Sequence, residues 1–131
     1  MADTATAYRS RAAETSSGPR LIVALYERLT TDLHVALDAL EVHGDLFVAS
    51  ESLVHAQQVL LVLRTSLDPD GFRGARELLD VYAFLERELI RANLAKDPVG
   101  VRGCLEVLEP LRAAWAGAVE AVERGLVPLA G

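Results

Sequence analysis

The chain has 131 residues, 51% hydrophobic and 24% charged, with a formal net charge of −6, a balance that fits one globular domain and excludes a disordered chain. Lys and Arg number 13 against 19 Asp and Glu, which argues against a nucleic-acid binder with its basic face. The single cysteine, Cys104, excludes an intrachain disulfide and a cysteine-based zinc site.

No uninterrupted apolar run approaches the roughly 20 residues of a membrane span. The N-terminal stretch MADTATAYRSRAAETSSG lacks the apolar core of a secretory signal. The expectation is a soluble, reduced, cytoplasmic protein with no membrane insertion.

Residues 1–19 read as a tail. Asp3 to Ala13 can form only a short helix, marginal alone at that length. Tyr8 is its one large apolar group. Thr15 or Ser17 can cap a helix start, and Pro19 suits the first helical position because its missing N–H has no intrahelical partner there.

The first long helix is predicted from Pro19 to Val42, with Leu21, Leu25, Leu29, Leu33, Leu37 and Leu40 recurring every three or four residues. Gly44 can take the left-handed conformation that ends it, and Asp45 can cap the next helix. The second helix is predicted from Phe47 to Leu67, ending at the turn Asp68-Pro69-Asp70-Gly71. The third runs from about Arg73 to Lys96 and is broken by Asp97-Pro98. The fourth covers about Val99 to Gly125, with a kink or local break expected at Pro110. Residues 126–131 are expected to fray. Four long helices with short turns make an all-α, antiparallel up-down four-helix bundle over residues 20–125.

The second helix organises the chain. Leu53, Ala56, Leu60, Leu63 and Leu67 form one stripe; Phe47, Val54 and Leu61 form another. Together they cover an arc of about 220°, where a one-sided helix needs little more than about 100°. Either this is the most central helix, touched on two sides, or the second stripe is a groove for a partner's amphipathic helix. The third helix is also two-sided, with Leu79, Ala83, Ile90 and Leu94 off its main stripe of Leu78, Val81, Tyr82, Leu85, Leu89 and Ala92.

The chemistry of an enzyme is missing from this pattern. A di-iron bundle needs Glu-x-x-His on two helices, and none of His34, His43 and His55 follows a glutamate at that spacing. Glu51 with His55, and His34 with Asp38, read as solvated surface pairs. Cys104 reads as a small buried hydrophobe. There is no phosphate-binding glycine loop and no G-x-S-x-G. No cofactor, no metal and no catalytic residue is expected.

Several segments, in order, carry a family likeness. They are a lone Tyr8, then Thr15-Ser16-Ser17-Gly18-Pro19-Arg20-Leu21-Ile22 running on to Leu25-Tyr26; Ala56 through Leu63 with Ser66, Leu67 and Asp68; Leu78-Leu79-Asp80-Val81-Tyr82; Leu89 to Asp97 with Ala92-Asn93 inside it; and Leu108 to Leu111 followed by Trp115. In these the chain resembles the FliS family of flagellar export chaperones, from about Tyr8 to Ala118. It departs from the family's serine-proline order at Ser17-Gly18-Pro19, which shifts the turn by one residue.

The resemblance implies a cytoplasmic chaperone that holds the disordered C-terminal segment of flagellin, prevents premature polymerisation and assists export, with other flagellar export components as further partners. It also implies that the N-terminal segment occupies part of the cleft when the client is absent. On this reading Val54 and Leu61, with Leu79 and Ile90, are the groove. Gln57, Arg64 and Asn93 supply polar contacts that set register, with Gln57 and Asn93 alternatively ordinary boundary residues. Leu21, Leu25 and Tyr82 are grouped with the partner surface. Tyr8 is either a displaceable plug or permanent core. Two other readings stay open: a generic interaction module or homodimer that buries the second stripes, and a bundle with a metal or small-molecule site.

Overall fold

The structure is a computed structural model that describes residues 18–126. It is all-helical: α1 is Gly18–Asp38, α2 Leu46–Ser66, α3 Ala75–Ala95 and α4 Pro98–Glu123. Each helix packs on its sequence neighbours, and α1 closes the ring against α4. This is the antiparallel four-helix bundle expected from the leucine spacing.

The helix ends follow the side-chain chemistry. Asp45 accepts from Val48 N at 3.0 Å, and Asp97 accepts from Val99 N at 3.0 Å; each satisfies an N–H that the first turn leaves free. Between α1 and α2 the chain widens into a π turn, Ala39–His43, before Gly44 at φ 61°. There Asp45 N reaches Ala39 O at 2.8 Å. The leucine period carried no sign of this extra residue. Lys96 ends α3 in the left-handed region, φ 51°, and its Nζ donates to Asn93 O at 2.6 Å and Asn93 Oδ1 at 2.7 Å. α4 runs through Pro110 without the expected break. Both Pro110 and Glu106 are exposed, on the side of α4 where a missing backbone hydrogen bond is best tolerated.

Leucines fill the core: Leu25, Leu29 and Leu33 of α1, Leu53, Leu60 and Leu63 of α2, Leu85 and Leu89 of α3, Leu105 and Leu108 of α4. Two tyrosines cross it. The Tyr26 and Tyr82 hydroxyls meet at 2.5 Å, and Tyr26 and Phe72 both pack on Trp115, the Phe72 ring edge-on at 6.0 Å. Phe72 thereby ties the α2–α3 turn to α4.

The α1–α4 seam is laced by the ion pairs Arg20–Glu123 and Glu41–Arg102 and, between them, the His34–Glu109 contact. The α1-side partners step by fourteen and then seven residues, and so do the α4-side partners, which holds the two helices in one antiparallel register. His34 therefore pairs with Glu109, at 3.3 Å, rather than with Asp38. His55 likewise turns from Glu51 to α1: its Nδ1 lies 2.5 Å from Asp32 Oδ2. Asp32 is buried and also accepts from Arg28 Nε at 3.3 Å, so this buried carboxylate is met from two sides.

Candidate functional site

α2 and α3 form an open seam. Toward the core, α2 presents Ala49, Leu53, Ala56, Leu60 and Leu63, all buried. Rotating outward toward α3 brings Arg64, Gln57, Leu61 and Val54 in turn. The matching edge of α3 carries Asn93, Glu86, Leu79 and Ile90. Arg64 Nε and Glu86 Oε2 face each other at 2.7 Å across the seam. The approach is an ion-pair contact, off line for a hydrogen bond, and leaves Nε without a hydrogen-bond partner. Going back along α2 from that pair and forward along α3, antiparallel helices bring Leu61 alongside Ile90 and Gln57 alongside Asn93.

Exposure separates the wall from the floor. Val54 is 43% exposed, Leu61 44% and Ile90 49%. Gln57, Arg64, Leu79 and Asn93 are half-buried between the helices. The second stripe of α2 is therefore not covered by any neighbouring helix among the described residues. It extends to Phe47, over which, with Val54 and His55, lies a shallow depression of about 390 Å³. Leu94 extends the α3 edge in the same direction and is exposed. Between α2 and α3 the one charged pair, Arg64 and Glu86, is internally matched, and Gln57 and Asn93 are amides; the depression at the Phe47 end adds Ser50, Glu51 and His55.

Leu21, Leu25 and Tyr82, assigned to the partner surface from the sequence, are placed in the core instead, at 8%, 2% and 2% exposure. Tyr82 lies on the inner stripe of α3 and spends its hydroxyl on Tyr26. Leu25 belongs to the leucine ladder of α1. Tyr8 lies outside the described residues, as does most of the expected N-terminal tail. Phe84, 48% exposed, had no place in either apolar stripe of α3; it stands on the α4 side.

Other sites are closed. Cys104 is buried in the core, and burial pushes its thiol up to about 12, far from a thiolate at neutral pH. Among the described residues no three His, Cys, Asp or Glu side chains gather as a metal set. By length and composition alone α2 is apolar enough to cross a membrane, with mean hydropathy 1.5, although the sequence showed no uninterrupted apolar run. Seven of its side chains are buried in the bundle, and its other large apolar side chains include the exposed Leu46, Phe47, Val54 and Leu61.

No curated protein matches the chain. The model of the family described as flagellar protein FliS matches residues 1–122, nearly the whole chain and all of the groove. A bundle with an uncovered apolar seam is suited to holding another polypeptide, and the chain belongs to the FliS family of flagellar chaperones.

Proposed function

We propose that the protein is a non-enzymatic, cytoplasmic export chaperone that holds the disordered C-terminal segment of flagellin in the α2–α3 seam. The observation that carries this reading is the uncovered row of Val54, Leu61 and Ile90, set in a chain of the FliS family. A client segment folds there as an amphipathic helix. Each large apolar side chain it buries contributes about 1.5–3 kcal/mol, and ordering the segment costs about 2–5 kcal/mol. A few anchors toward the upper end of that range therefore outweigh the ordering cost. The half-buried amides of Gln57 and Asn93 reward a client polar group in one register only. A bound segment would also lose the freedom to enter a filament, and other flagellar export components would meet the loaded chaperone.

Residues 1–17 act as a resident cover on the same reading. Tyr8 lies ten residues before Gly18, a tether of up to about 35 Å when extended. Calorimetric titration with the C-terminal peptide of flagellin from the same organism tests the function. Saturable one-to-one binding with a negative heat-capacity change supports it. Absence of binding at high micromolar peptide rejects it. Deleting residues 1–17 should tighten binding; unchanged affinity would remove the cover.

The competing homodimer reading puts a second copy in the same seam. It requires a mass that rises with protein concentration in the absence of peptide.

A further inference from the structure

α3 is bordered by a second groove, on its α4 side, and its chemistry differs from that of the first. Phe84, Val99, Gly100, Gly103 and Val107 line a cavity of about 240 Å³. Phe84 is half-exposed and Val99 is 69% exposed, so the apolar floor is open. Gly100 is closed by Arg91 and Ala92, whereas Gly103 thins the α4 wall. Gly103 has nothing within 4 Å of where a Cβ would stand, which leaves room for an incoming backbone or side chain.

The border is acidic. Glu77 and Asp80 precede Phe84 by two turns and one turn, on nearly the same face of α3, and both are exposed. None of the α3 ion pairs among the described residues uses either. Beyond Phe84 stand Glu88 and Asp97, which share the one guanidinium of Arg91 at 2.5 and 3.0 Å. That guanidinium holds both carboxyls below the usual range, so both are ionised at neutral pH. Arg87, two turns on from Asp80 and about 20° from it around α3, stands on the same border. Four carboxylates thus meet two cations, and the excess stays negative. The α2–α3 seam, by contrast, has its one charged pair matched.

We propose that the α3–α4 groove is a second docking site, for a lysine- or arginine-rich amphipathic segment of a partner protein, with an apolar anchor set beside Phe84 and Val107. The inference is independent of what occupies the α2–α3 seam. Apolar burial supplies the affinity, and the acidic border selects the sign of the partner and speeds encounter. Two chemically distinct grooves flanking one helix let the protein hold two different segments at once.

The test uses fluorescence anisotropy with a labelled helical peptide of leucines on one face and lysines on the other, and a twin with glutamates for the lysines. The lysine peptide should bind the full chain, weaken at least tenfold between 50 and 500 mM salt, and outbind its twin at least tenfold. Phe84→Ser should cost at least tenfold. Glu77→Gln with Asp80→Asn, which touches no core, should cost severalfold even if Phe84→Ser perturbs the fold. Leu61→Asp should change affinity less than twofold. No saturable binding, equal binding of the twin, indifference to the charge variant, or loss on Leu61→Asp would each overturn the proposal.

Discussion

The hydroxyls of Tyr26 on α1 and Tyr82 on α3 meet at 2.5 Å inside an otherwise apolar core. They join the two helices on opposite sides of the ring. Tyr26 also has the Trp115 side chain as a hydrogen-bond partner, whereas Tyr82 has Tyr26 alone, so it is Tyr82 that is stranded when the pair is cut. Tyr26→Phe should cost about 1–3 kcal/mol, because the Tyr82 hydroxyl is left buried without its partner. The double variant Tyr26→Phe, Tyr82→Phe should recover much of that loss. Urea denaturation of the four proteins in the cycle measures it. Additive losses would mean that the hydroxyls do not act as a pair.

The same pair predicts an alkaline limit. Burial pushes both phenols above the ordinary 10.0. The unfolded chain releases these protons first, so stability is intact below pH 10 and falls as pH rises beyond it. Absorbance titration near 295 nm should show two of the three tyrosines silent until the bundle unfolds. Three phenols titrating together near pH 10 in folded protein would contradict this.

The Asp32–His55 contact predicts an asymmetry on one face of α2. His55→Ala should destabilise by about 1–3 kcal/mol, since it removes a partner of a buried carboxylate. Glu51→Ala, on the exposed side of the same helix, should shift stability by less than about 0.5 kcal/mol. Thermal melts of the two variants decide it; equal shifts would show that the pair adds nothing.

Two glycines three residues apart should respond with opposite signs. A Cβ on Gly100 would stand 3.1 Å from Ala92 Cβ and 2.7 Å from Arg91 Nη2, where the start of α4 packs on the end of α3. Gly100→Ala should destabilise by about 1–3 kcal/mol through overpacking. Gly103→Ala meets nothing and should stabilise by about 0.5–1 kcal/mol, as alanine does in a helix interior. Melting temperatures moving in the same direction would refute the contrast.

Much of this bundle is legible in the sequence because each helix is written twice, as a leucine period and as punctuation. Asp45, Asp97 and Pro98 mark starts that the hydrogen bonds reproduce. The π turn at Ala39–His43 is not legible, since one extra residue in a ladder leaves the apolar period almost unchanged. Pairing across helices is hidden for a related reason. His55 and Asp32 are 23 residues apart, and only the packing brings them together.

The groove is partly legible. The width of the α2 apolar arc marks Val54 and Leu61 as surplus to a one-sided helix, and the structure leaves them uncovered. Tyr82, Leu21 and Leu25 show the limit. Apolar residues on a helical stripe do not reveal whether the stripe faces a closed core or an open seam, and these three face the core. Phe84 shows the converse, a large ring outside every stripe, whose setting appears only once α4 is beside it.

The central claim is that the Val54–Leu61–Ile90 row is a docking surface rather than part of the core. Comparing wild type with Leu61→Asp, by circular dichroism and by calorimetric titration with the flagellin C-terminal peptide, tests it most directly. The account predicts an unchanged helical spectrum and melting temperature with at least a hundredfold loss of peptide affinity. A variant that unfolds, or one that binds the peptide as wild type does, would contradict it.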